Sequence, residues 1–161
     1  MKDCLRALGT TNITSVNSGA QAIEEMQMIA KDPRRSRQTN IDVIFSDWHM
    51  EGVDGMLLLR WVRHHRDSPN RFLPFVMISA YSEAKLVLEA RNMGVTEFLT
   101  KPFTTAAFVR VLLHIINKPR QFIQTADFFG PDRRRNKEQY FRDVDRRLLT
   151  EDSPEVEIIH A

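Results

Sequence analysis

Asp47, Ser79 and Lys101 each close an apolar run of the chain, in "DVIFSD", "PFVMIS" and "VTEFLTK". A carboxylate, an alcohol and an ammonium at one point make a phosphoryl-accepting set. The carboxylate attacks phosphorus, the hydroxyl hydrogen-bonds a phosphoryl oxygen, and the ammonium balances the charge. Each residue alone has a plainer reading: an Asp after a strand caps a turn, a Ser satisfies strand-end backbone, and a Lys is solvated. Their joint placement at the ends of successive runs favours chemistry.

The three groups meet only if the runs are neighbouring parallel strands with their carboxyl ends on one edge, which is where open α/β sheets bind ligands. The rest of the sequence supplies that architecture. Residues 41–46, 73–79 and 95–100 are near-continuous apolar stretches, expected of strands covered on both faces. Between and around them, residues 20–30, 56–65, 82–93 and 104–116 carry helical spacing, with Ala22, Ile23 and Met26 on one face of the first and Phe108, Val111, Leu112 and Ile115 on one face of the last. Gly94 is a helix-ending residue. Residues 12–16 are expected to form a further short strand, and the polar, basic stretch 31–40 with Pro33 a loop. Alternating strand and helix patterns define the class as α/β with a parallel sheet.

A chain of 161 residues holds one well-buried core. The balance of 23 Lys and Arg against 21 Asp and Glu gives +2, too small a field to draw the chain to nucleic acid or an anionic membrane. One cysteine, Cys4, excludes an internal disulfide and a cysteine zinc cluster. With no apolar run near membrane-spanning length and no secretory leader pattern, a soluble cytoplasmic protein is expected. His49, His64 and His65 do not make a metal ligand set.

The segment from about Leu5 to Asn117 resembles the receiver domain of two-component response regulators, the chemotaxis-type phosphoacceptor fold. The resemblance rests on "DVIFSDWHMEGVDGMLLL", "PFVMISAYSE" and "GVTEFLTKPF" in the right order and spacing. It implies a flavodoxin-like (βα)5 fold with helices on both faces of the sheet. Asp47 would take a phosphoryl group from a histidine kinase or phosphotransfer protein, with Ser79 and Lys101 holding the product. Ser79 and Phe98 would be switch residues, and His49, Ala80 and Tyr81 would line the pocket and tune phosphate lifetime. The Lys101-Pro102 bond would be cis. The face formed by residues 82–116 would carry output to an unknown protein target and allow a homodimer. Glu51 stands where the family usually has proline.

The family's first strand, which ends in an acidic pair that holds Mg²⁺ with the phosphoacceptor and a backbone carbonyl, has no counterpart here. "MKDCLRALG" matches the second half of the first helix, with Leu8-Gly9 ending it, so Asp3 is not promoted to a ligand. Of the implied Mg²⁺ ligands only Asp47 and the His49 backbone carbonyl are present, and weak or absent Mg²⁺ binding is expected. A late-assigned start, a natural degenerate receiver and a cloned fragment all remain open. A remote alternative is that "EVEIIH" fills the vacant strand position.

The expected organisation is a receiver domain over residues 1–118, incomplete at its N-terminus, and a flexible polar tail over 119–161. The final 44 residues hold nine basic and nine acidic side chains with few apolar anchors. An attached effector domain is therefore not expected within these residues. The tail resembles, less specifically, that of single-domain regulators of alphaproteobacteria. Its Asp132, Glu138, Asp143 and Asp145 argue against nucleic acid, so a protein-docking segment is expected, with simple solubility as the plainer reading. The function implied is phosphorelay signalling without enzymatic turnover. The rival is a phosphorylation-independent interaction module.

Overall fold

The three continuous apolar runs become strands because each is covered on two sides. The computed structural model describes residues 1–32, 40–80, 84–132 and 157–159. In it, β1 (Ile44–Asp47), β2 (Phe75–Ser79) and β3 (Glu97–Thr100) pair in parallel in the order β1-β2-β3. Every residue of the middle strand is buried. Alternate side chains serve two cores. Phe75 and Met77 pack with Met26 of α2 (Gly19–Lys31), Leu58, Leu59 and Val62 of α3 (Gly55–His64), and Ala90 of α4 (Ala84–Asn92). Val76 and Ile78 pack with Leu5 of α1 (Lys2–Ala7) and Phe108 of α5 (Thr105–Asn117). Full burial of such a side chain stabilises by about 1.5–3 kcal/mol, so this strand anchors the site that its end carries.

The helices start where the sequence provides caps. The side chains of Ser18, Asp54 and Thr104 accept from the backbone N–H groups of Gln21, Leu57 and Ala107, opening α2, α3 and α5. Gly94, at φ +90°, turns the chain from α4 towards β3, and a Val95 N–H to Ala90 carbonyl bond closes that end.

Three expectations need correction. Residues 12–16 form no strand: among the described residues no neighbouring strand accepts their backbone groups, and an extended segment without a ladder is not a strand. The "EVEIIH" segment does not fill a place in the parallel sheet, because β6 (Glu157–Ile159) pairs antiparallel with β4 (Phe122–Gln124). Residues 119–132 and 157–159 are not a featureless tail. They contain a second sheet, ordered β5-β4-β6, with β5 (Phe129–Pro131) completing it. Residues 133–156 and 160–161, also read as tail, and most of the loop read over 31–40, lie outside the described residues.

This second sheet is anchored at the amino ends of the parallel strands by aromatic and cationic groups. Phe72, just before β2, meets Phe122 and Phe129 edge-on at centroid distances of 5.1 and 5.5 Å. Arg63, 1% exposed, places its guanidinium 5.2 Å from the Phe122 centroid. It donates to the carbonyls of Gly94 at 2.9 Å and Arg71 at 2.8 Å, and to Thr96 Oγ1 at 3.4 Å. Burial first, and then the charge of Arg71, pull its pKa down to about 9. Arg120 ties the sheet to β3 by donating to the Thr96 carbonyl at 3.2 Å. A β-carbon on Gly130 would lie 2.7 Å from the Gly94 Cα, so the two glycines let the backbones touch.

Candidate functional site

Asp47 is the last residue of β1, Ser79 the last of β2, and Lys101 follows the last residue of β3. The register sets Asp47 beside Ile78 and Ser79 beside Thr100, so the three sit at one carboxyl edge of the sheet. The ladder runs one residue past the strands on either side of β2. Trp48 N–H donates to the Ile78 carbonyl and Lys101 N–H to the Ser79 carbonyl, both at 2.7 Å. These bonds hold the chain on both sides of Asp47 and Lys101 in line with the sheet, and the Lys101 Nζ reaches across the end of β2 to Asp47 Oδ2. The two side chains are 43% and 40% exposed, so the ion pair adds little stability but stays open to an incoming anion.

The remaining residues expected around the site divide. Ser79 is buried, while His49 and Ala80 are exposed on the same edge. Phe98 is half-buried, and its ring meets Trp48 edge-on at 6.2 Å. The Lys101-Pro102 bond is cis. Tyr81 lies outside the described residues. The sequence reading passed over Trp48, 7% exposed between Asp47 and His49, although its aromatic side chain extends the apolar run of β1. Gly55 is the other close neighbour: a β-carbon there would collide with the Asp47 carbonyl oxygen and come within 2.8 Å of Met77 Sδ.

The donor set does not fit Mg²⁺. The ion needs near-octahedral oxygen ligands, several of them from protein or water held by protein. Among the described residues the strand ends bring one carboxylate, Asp47, already against an ammonium, and backbone carbonyls such as that of His49. Among the described residues no group of three His, Cys, Asp or Glu side chains comes together to hold a metal.

A parallel sheet flanked by helices, with Asp, Ser and Lys at successive strand ends, is the form of a phosphoacceptor domain of two-component signalling. Comparison with known proteins agrees. Residues 1–113 match the response regulator receiver domain family, and the chain belongs to it. Chemotaxis protein CheY of Pseudomonas aeruginosa is 33% identical over 104 residues, 65% of this chain and 74% of that protein. Chemotaxis protein CheY-3 of Vibrio cholerae is 29% identical over 118 residues, 73% of this chain and 82% of that protein.

Solved structures agree on the fold. The receiver domain of a sensor histidine kinase from Pseudomonas aeruginosa, with a magnesium ion in its active-site cleft, superposes with a TM-score of 0.57 at 24% identity, covering 73% of this chain and 85% of that one. The CheX-CheY-BeF3-Mg complex of Borrelia burgdorferi gives a TM-score of 0.59 at 20% identity over 71% of this chain and 77% of that one. Receiver domains are in general signalling modules that bind Mg²⁺ and interact with kinases, phosphotransfer proteins and downstream targets. No described helix of this chain is long and apolar enough to cross a membrane.

Proposed function

We propose that this chain acts in a phosphorelay by accepting a phosphoryl group on Asp47. A carboxylate oxygen attacks phosphorus, the bond from phosphorus to the donor breaks, and its electron pair leaves with the donor. Lys101 then balances the charge of the acyl phosphate, and Ser79 hydrogen-bonds one of its oxygens. The observation that carries the reading is the Lys101 ammonium lying against Asp47 across the end of β2. A histidine kinase or phosphotransfer protein is the donor. The face made by α4, β3 and α5 is the output surface, with Phe98 responding to the charge at Asp47. The phosphoryl group is taken up by the protein itself, not turned over on a small-molecule substrate.

A second reading has one observation in its favour. The donor set at the strand ends does not fit Mg²⁺, and a receiver that cannot hold the ion acts as a phosphorylation-independent interaction module. Incubation with a radiolabelled acyl phosphate, with and without Mg²⁺, separates the two. Uptake that disappears in Asp47→Ala supports phosphorelay signalling, whereas no uptake under either condition supports the interaction module.

A further inference from the structure

The loop joining α3 to β2 borders a concavity of about 490 Å³, lined by Arg63, His64, His65, Arg66, Arg71 and Phe72 with their loop neighbours. It lies by the amino ends of the strands, at the pole opposite Asp47. Three arginines and two histidines converge here, although the whole chain carries only +2. The lining contains no carboxylate. Asp67, the one acid of the loop, sits outside it and pairs loosely, 3.6 Å from Arg66 Nε and 3.8 Å from His65 Nδ1.

A run of exposed basic side chains is ordinarily a solvated face, but here Arg71 and the loop that carries Arg66 are held in place. The Arg71 guanidinium lies 3.3 Å from the Phe129 ring centroid, and its carbonyl is fixed by Arg63. Ser68 Oγ donates to the Val62 carbonyl at 2.7 Å, and Phe72 N–H donates to Asn70 Oδ1 at 2.9 Å. A fixed loop and a fixed Arg71 lower the ordering cost of binding. Burial first, and then the charges of Arg71, Arg60 and Arg63, pull the His64 pKa below its ordinary value.

We propose that this concavity binds a compact phosphate-bearing anion, held chiefly by Arg66 and Arg71. Guanidinium groups present paired donors that match phosphate oxygens, and the volume is that of a small-ligand site. Convergence on one hollow, rather than spacing along a track, favours a small polyphosphate over a nucleic-acid strand. The site is independent of the Asp47 chemistry.

The test is titration of the full chain with inorganic triphosphate, followed by NMR of the backbone amides and the His64 imidazole. Shifts centred on residues 64–72 that weaken with salt are expected. Arg66, whose side chain is 89% exposed, can be altered without loss of folding, and Arg66→Glu should weaken binding by about tenfold or more. Asp67→Asn should tighten it. Tighter binding of a nucleoside triphosphate, with added shifts at Phe72, would identify a nucleotide as the source of the phosphates; equal binding would identify inorganic polyphosphate. Absence of shifts at 64–72, or shifts confined to the Asp47 edge, overturns the proposal. So does binding there of a single-stranded oligonucleotide or an acidic peptide when triphosphate does not bind.

Discussion

Gly55 and Asp47 are in contact through backbone alone: the Gly55 N–H donates to the Trp48 carbonyl at 2.9 Å, and a β-carbon on Gly55 would collide with the Asp47 carbonyl oxygen. The first residue of α3 is thereby pressed against the strand end that presents the Asp47 carboxylate. Gly55→Ala should force the helix start and the Asp47 backbone apart, at a cost of about 1–3 kcal/mol. Chemical denaturation should record the loss, and phosphoryl uptake on Asp47 should fall with it.

Lys101→Ala separates chemistry from stability. Because both partners of the Asp47 ion pair are about two-fifths exposed, the folding free energy should change by less than about 1 kcal/mol. Uptake from an acyl phosphate should nonetheless drop sharply, since the charge of the bound phosphoryl group would then lack its ammonium. Thermal melts beside uptake assays read the two effects independently.

Phe122→Ala removes a ring that is 4% exposed, packed against Phe72 and Phe129 and beneath the Arg63 guanidinium. A loss of about 3–5 kcal/mol is expected from the cavity and the uncovered cation. If the second sheet folds as part of the same unit, the variant should still unfold in one transition, displaced to lower denaturant.

The depressed pKa of His64 gives a pH dependence of definite sign. Its neutral form is favoured in the folded chain, so between its ordinary value of 6.5 and its lower folded value the unfolded state binds more protons. The stability this contributes is present above pH 6.5 and is lost as the pH falls through the folded value. Wild type should therefore lose more stability than His64→Gln on acidification from pH 6.5 through the folded value. The His64 imidazole should titrate below 6.5 by NMR.

Much of the frame was legible in the sequence because burial on both faces leaves a continuous apolar signal. The runs at 41–46, 73–79 and 95–100 became β1, β2 and β3 with shifts of at most three residues at their ends. The helices read at 20–30, 56–65, 82–93 and 104–116 correspond to α2 to α5. The meeting of Asp47 with Lys101 followed from strand ends alone. The second sheet did not show, for a physical reason. Its strands are three residues each, too short for periodicity, and they lie in a region whose composition is dominated by charge. What fixes them, Phe72 and Arg63, stands far away in the chain. The Phe128-Phe129 pair before Gly130 was the available signal. The strand read at 12–16 failed for the opposite reason: its pattern was adequate, but among the described residues it has no neighbour to pair with.

A crystal structure of the chain grown with Mg²⁺ and beryllofluoride, a mimic of a phosphoryl group on a carboxylate, tests the account most directly. The beryllium should be bound to an Asp47 oxygen, with one fluorine within hydrogen-bond reach of Ser79 Oγ and another of Lys101 Nζ. An empty Asp47, or a bound group whose fluorines meet neither the alcohol nor the ammonium, would contradict the reading of this edge as a phosphoacceptor site.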